Sequence, residues 1–158
     1  MPITLRAVCE SDHAFLFELY ASTRTSELVL APWTDAQKQS FLQMQFAAQK
    51  SSYARQYPAA HHDIICLEEK PVGRLYLDRG PDRFHILDIT ITPRSRNKGI
   101  GSAVLTDILR EAHQARKSTT IYVEDFNPSV RLFERLGFLR ASAKDFQILL
   151  ERQPSALL

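Results

Sequence analysis

The chain has 158 residues, 44% of them hydrophobic and 24% charged, with a formal net charge of +2. That length suits one domain with a sizeable core, and the composition is that of a soluble globular protein. The charge is too small to argue for nucleic acid, and no apolar run approaches the roughly 20 residues of a bilayer span.

The N-terminus, MPITLRAVCE, has no signal-peptide core or cleavage site, so the cytoplasm is the expected compartment. Ile3 to Val8 alternates apolar and polar residues and predicts a first strand with one buried face. Ser11 is the expected N-cap of a helix of about three turns carrying Ala14, Phe15, Leu16, Leu19 and Tyr20. Residues 23 to 32 read as irregular. Thr34 or Asp35 can cap a second helix, along which Phe41, Leu42, Met44, Phe46 and Ala48 recur, and which ends before Pro58. Cys9 and Cys66, the only cysteines, lie far apart in apolar, strand-like settings and read as buried free thiols.

Asp63 to Leu67 and Val72 to Leu77, joined by the polar turn Glu68-Glu69-Lys70-Pro71, read as a hairpin. His61 and His62 are adjacent rather than at metal-ligand spacing, and no metal is expected. Gly80-Pro81-Asp82 turns the chain into the strand Phe84 to Thr92, which Pro93 ends. From Ile100 the apolar residues Val104, Leu105, Ile108, Leu109 and Ala112 follow helical spacing. Ser118 to Glu124 is another strand. Asn127 as N-cap and Pro128 at the first position predict a short helix with Val130, Leu132, Phe133 and Leu136 on its apolar face, stopped by Gly137. Phe138 to Arg140 and Phe146 to Leu150 supply two final strands. One domain over residues 1–152 and a frayed tail over 153–158 complete the organisation.

The chemistry concentrates between strand and helix, at Arg94-Ser95-Arg96-Asn97-Lys98-Gly99-Ile100-Gly101. A helix N-terminus offers unpaired N–H groups and the positive end of the macrodipole. Glycines at 99 and 101 let an anion approach the backbone, and Arg96 and Lys98 add full charges. The stretch reads as a phosphate cradle, for which a pyrophosphate is the natural ligand. It is not a P-loop, because no Gly-Lys-Ser/Thr follows. The dinucleotide fingerprint needs a third glycine where this chain has Val104, although Glu124 lies at about the distance of a ribose-binding acid. A nucleotide-dependent oxidoreductase is therefore weakened as an alternative rather than eliminated.

Arg96-Asn97-Lys98-Gly99-Ile100-Gly101 resembles motif A of the GNAT N-acetyltransferase superfamily, Arg/Gln-x-x-Gly-x-Gly/Ala. Downstream, the run from Asn127 through Leu132, Phe133, Glu134, Arg135, Leu136 and Gly137 to Phe138 resembles motif B, Asn-x-x-Ala-x-x-Leu-Tyr-Glu-Lys-Leu-Gly-Phe. The motifs occur in the family's order and separation, and with the element order the resemblance covers nearly the whole chain.

The resemblance implies an α/β (α+β) fold: a mixed, mostly antiparallel sheet splayed between its fourth and fifth strands, with about four helices on both faces. It implies acetyl-CoA as co-substrate, its pyrophosphate on Arg96, Asn97, Lys98, Gly99, Ile100, Gly101 and Ser102. Its thioester arm would lie along Ile89, Thr90 and Ile91, with Asn127 beside the pantetheine and Phe133 packed on the cofactor. The implied reaction is acetyl transfer to a primary amine by direct attack in a ternary complex, and family members often form homodimers. Trp33, Tyr53 and Tyr57 are candidates for the acceptor pocket, since the connection between the first two helices borders that site in the family.

An alkyl amine has a pKa near 10, so a base must take a proton before attack. His85, with an ordinary pKa of about 6.5, ranks first, followed by Glu124 and Asp88. Strict alternation places Asp88 on the face opposite His85 unless a bulge intervenes. The family's tyrosine acid falls at Phe133, which has no proton to give. That departure leaves open a protein that binds acyl-CoA with little or no turnover. The thiolate, with a pKa of about 8.5, can also leave unassisted or with water.

Overall fold

The computed structural model describes residues 2–156. The last two residues of the expected tail lie outside that range. Seven strands form one sheet: β1 (Ile3–Ala7), β2 (His61–Leu67), β3 (Lys70–Arg79), β4 (Arg83–Ile91), β5 (Ser118–Glu124), β6 (Leu139–Lys144) and β7 (Gln147–Arg152). Their spatial order is β1-β2-β3-β4-β5-β7-β6, antiparallel throughout except for β4 beside β5. Five helices pack on the sheet: α1 (His13–Ser22), α2 (Thr25–Leu28), α3 (Asp35–Gln56), α4 (Ile100–Gln114) and α5 (Val130–Arg135).

Two cores lie back to back. Leu75, Leu77, Phe84, Ile86, Ile121 and Val123 turn to one face and bury against Val104, Leu105, Ile108 and Leu109 of α4 and Phe133 of α5. On the other face, Leu16 and Tyr20 of α1, Leu28 of α2, and Leu42 and Phe46 of α3 close over Ile64 and Cys66. α3 begins as expected, with a capping box in which Gln37 N–H donates to Thr34 Oγ1 and Thr34 N–H to Gln37 Oε1.

Four local expectations are corrected. β1 buries no face: Ile3 is half-buried and Leu5 is 44% exposed, because an edge strand paired only with β2 lies beyond the cover of the helices. Ser11 does not cap α1; it sits in a 3-10 turn, and Asp12 precedes the helix. The Asp12 carboxylate instead takes both Arg6 nitrogens at 2.8 Å and the Cys9 amide, which holds it well below the usual carboxylate range. Cys66 is buried as expected, but Cys9 is exposed. Finally, α5 starts at Val130, three residues after Asn127; the Asn127 Oδ1 accepts from the Ser129 amide and shapes the turn ahead of it.

Candidate active site

β4 and β5 run side by side only from Arg83–Ser118 to Ile86–Ile121. Beyond that point β5 stays paired to β7, through Glu124, and β4 stays paired to β3, through Ile91. The sheet is therefore split in its middle, with Leu87 to Ile91 on one lip and Tyr122 to Glu124 on the other. The Thr92 amide donates to Val72 on β3. Alternation along the strand then turns the backbone groups of Ile89 and Ile91 away from β3, to the open lip.

The register of β3 and β4 shifts at Leu87: Ile86 faces Leu77 and Asp88 faces Tyr76. This bulge moves Asp88 onto the same face of the sheet as His85, the exception that strict alternation needed. The Leu87 carbonyl is held by the Tyr53 hydroxyl at 3.2 Å, and Tyr53, in the last turn of α3, stands edge-on to Tyr76. Burial, then the charge of Asp88, pushes the Tyr53 phenol up to about 12, so it remains a donor at neutral pH.

The three base candidates sit differently. His85 is 5% exposed and lies under Tyr57, which stacks on it with centroids 5.4 Å apart. Its Nδ1 lies 2.8 Å from the Thr120 hydroxyl, which itself reaches the Phe84 carbonyl. If that hydroxyl donates to Phe84, the imidazole carries its proton on Nδ1 and leaves the Nε2 lone pair open. Burial, reinforced by Arg83, lowers the His85 pKa to about 4, so the ring is neutral at pH 7. Asp88 accepts from Arg74 Nε at 2.6 Å and from Thr90 Oγ1 at 2.8 Å, so both its oxygens are engaged. Glu124 lies at the open end of β5, half-buried, opposite Gln147. Tyr122 and Glu124 share the His85 face, and Tyr122 stands edge-on to His85.

At the far end of β4, a 3-10 turn (Pro93–Ser95) leads into the glycine loop. Asn97 and Gly99 both have positive φ, 62° and 80°, which coils the loop tightly before α4. No side chain caps α4, so the amides of Ile100, Gly101 and Ser102 have no helical acceptor. A Cβ on Gly99 would meet nothing within 4 Å, and one on Gly101 only the Ile91 side chain at 4.0 Å. The loop is open where an anion would approach. Arg96 Nε donates to the Ile91 carbonyl at 3.0 Å, tying the loop to the tip of the open lip. Arg94, Lys98 and Arg96 are exposed there. A 15-residue helix with three free amides, two positive-φ turns and three cations suits a diphosphate. Among the described residues, no cluster of side chains could hold a metal ion.

The remaining expected site residues fall in three places. Asn127 follows β5 close to the split. Phe133 is 2% exposed, edge-on to Phe138 in the core beneath α4. Trp33 is apart from all of these, packed on Phe41 at the start of α3.

Sequence reasoning missed one group. On the α1–α3 face, a cleft of about 250 Å³ is lined by Gln49, Lys50, Tyr53, His62, Arg74 and Tyr76, among others. Arg74 is 4% exposed on a central strand and bonded to Asp88 and to Gln49 Oε1 at 2.8 Å. Its signal was a cation in the interior of a strand that reads as apolar, between Val72 and Leu75.

The sequence matches the acetyltransferase (GNAT) family over residues 14–138. A search of curated protein sequences found no match. Among solved structures, the PaiA N-acetyltransferase from Thermoplasma acidophilum in complex with coenzyme A superposes with a TM-score of 0.73 at 14% identity, covering 97% of this chain and 99% of its own. The ribosomal-protein-S18-alanine N-acetyltransferase from Escherichia coli gives 0.65 at 16% identity over 98% and 95%. A GNAT acetyltransferase from Elizabethkingia anophelis with acetyl-CoA bound gives 0.61 at 14% over 96% and 97%. At these identities the structures speak for the fold, and the family match covers most of the sequence: the chain belongs to the GNAT acetyltransferase family.

Proposed function

We propose that the protein is an N-acetyltransferase that moves the acetyl group of acetyl-CoA onto a primary amine by direct attack in a ternary complex. The observation that carries this reading is the junction of two features. The β4–β5 ladder stops at Ile86 and Ile121, and the uncapped, glycine-opened start of α4 lies at the end of the same lip. The loop from Arg96 to Ser102 would hold the diphosphate. The open backbone edge at Ile89 and Ile91 would hold the amide-bearing arm as an added strand does. Asn127 would stand beside that arm. Acetyl-CoA supplies the activated acyl group.

Transfer forms a C–N bond, breaks a C–S bond and moves one proton from the amine to base and one pair of electrons to the departing thiolate. Glu124, on the splayed part of β5 and not enclosed, is the accessible acceptor of that proton. His85 is neutral and positioned on the same face, but a conjugate acid of pKa about 4 holds a proton only in passing. Phe133 gives no acid, so the thiolate leaves to water. The absent hydroxyl also supports a second reading, an acyl-CoA-binding protein with little or no turnover.

Calorimetric titration with acetyl-CoA, with NAD as the control, tests the cradle. Micromolar binding by the wild type is expected, retained within about tenfold in Gly99→Ala and lost in Gly99→Glu; alanine carries the same positive-φ strain without filling the cradle. Thiol release from acetyl-CoA that depends on an added amine then separates the enzyme from the silent binder. A folded wild type that does not bind acetyl-CoA would sink both readings.

A further inference from the structure

The cleft between α1 and α3 is not explained by the fold. Arg74 is buried on a central strand where a leucine or valine would pack at no electrostatic cost. Its Nε and Nη2 are used by Asp88 and Gln49, while its Nη1 donates to none of the described residues. His62 stacks flat on Tyr76, with centroids 4.3 Å apart and planes 10° from parallel. Its Nε2 is buried without a hydrogen-bond partner among the described residues. A buried orphan of this kind is destabilising unless a bound molecule satisfies it.

The charges facing this ring come from every element around it. Burial chiefly, with Arg74 on β3 and Lys50 on α3, lowers its pKa to about 4, against the opposing pull of Asp88 and Asp12. Two cations and one carboxylate, Glu10, therefore line the cleft: Arg74 is fixed, buried and paired with Asp88, and Lys50 stands on the rim without an ion pair among the described residues. Val8, Leu16, Phe46 and Tyr53 supply apolar wall. At about 250 Å³ the space is below the range for drug-sized ligands, about 300–1,000 Å³, and suits a small metabolite. Tyr76, on its floor, is the register partner of Asp88 on β4, so the cleft lies about one strand spacing, ~4.8 Å, from the open lip.

We propose that this cleft binds a small amine-bearing carboxylic acid of the amino-acid class, its carboxylate on Arg74 Nη1 and Lys50 and its amine turned toward β4. His62 Nε2 supplies the neutral hydrogen bond to the same ligand. The fate of the amine rests on the acetyltransferase reading above; the binding rests on the cleft alone.

The test is calorimetric titration of the protein, with and without saturating coenzyme A, using the twenty proteinogenic amino acids, β-alanine and γ-aminobutyrate. Each is compared with its decarboxylated amine. At least one acid should bind, with its decarboxylated counterpart at least about tenfold weaker. Lys50→Ala, on an exposed position that the fold does not need, should weaken that acid severalfold and leave the amine unchanged. His62→Phe keeps the ring on Tyr76, removes Nε2, and should weaken it about tenfold. Equal binding of acid and amine, no binding by any acid, or indifference to both variants would overturn the proposal. An acid that binds without amine-dependent thiol release keeps the cleft and removes the acetyltransferase reading. Turnover of plain amines with no acid bound does the reverse.

Discussion

The two faces of the sheet are built on opposite terms although the same strands supply both. Toward α4 and α5, strands β3, β4 and β5 present Leu75, Leu77, Phe84, Ile86, Ile121 and Val123, with Thr119 of β5 among them, its hydroxyl buried without a hydrogen-bond partner among the described residues. Toward α1 and α3, the same three strands present Arg74, Tyr76, His85, Asp88, Thr120 and Tyr122, and only β2 contributes an apolar patch. The first face is a core whose energy comes from removing about 25 cal/mol per Å² of apolar surface from water. The second trades that gain for a network of bonded polar groups, which stabilises little and positions much. The split between β4 and β5 joins the faces: on the proposed reading, an acyl group lying in it would be reached from the polar side and anchored from the α4 side.

Gly73 is where the comparison breaks most completely. A Cβ there would lie 2.3 Å from the Thr90 carbonyl, a backbone atom that cannot swing away. Gly73→Ala must push β3 and β4 apart, which displaces both faces and the open lip together. A loss of at least about 3 kcal/mol in denaturant unfolding is expected, with acetyl-CoA binding weakened alongside. Stability within about 1 kcal/mol of wild type would mean that the two strands are not held at this spacing by the sheet.

A pair of truncations on neighbouring residues sharpens the contrast between the faces. Leu75→Ala removes side-chain volume from the α4 face and should cost about 2–5 kcal/mol. Arg74→Ala, on the opposite face, should cost about 3 kcal/mol, mainly because Asp88 is left partly buried and unpaired. Arg74→Met combined with Asp88→Asn should recover much of that loss, since removing both charges removes the penalty. Additive losses in that double variant, read from equilibrium unfolding, would show that the pair holds the fold rather than the site.

Much of the first face was legible in the sequence and little of the second. The spacing of Val104, Leu105, Ile108, Leu109 and Ala112 gave α4, and the strands opposite it were marked by Ile and Leu, because apolar burial writes itself as periodicity. The glycine loop was legible for a different reason: positive φ and an uncapped helix need particular residues, and Gly99 meets both demands. The bulge at Leu87 was left open by the sequence, since it depends on how β4 lies against β3, and it decides that Asp88 joins His85. Arg74 was read past as a strand residue because its partners, Asp88 and Gln49, are 14 and 25 positions away. Ser11 failed as a cap because it lies inside a 3-10 turn that starts after Cys9, which leaves Asp12, held by Arg6, as the residue ahead of α1.

The smallest effect expected is in the acid limb of stability, and it belongs to the polar face alone. His62 and His85 both have their pKa lowered by burial from the ordinary 6.5 to about 4. Above pH 6.5 both states carry neutral rings and the histidines contribute no pH dependence. Between 6.5 and about 4 the unfolded chain takes up protons that the folded chain refuses, so stability falls as pH falls, and the loss is complete below about 4. The Asp12 carboxylate, held down by Arg6, retains its stabilising charge throughout that window and gives way only at lower pH, so the two contributions separate. Melting temperatures measured at intervals across this range should drop by several degrees in wild type and less steeply in His62→Phe with His85→Gln. An unchanged slope in the double variant would show that neither ring is kept neutral by its place on that face, and the accompanying account of His85 as a ring held with its Nε2 open would go with it.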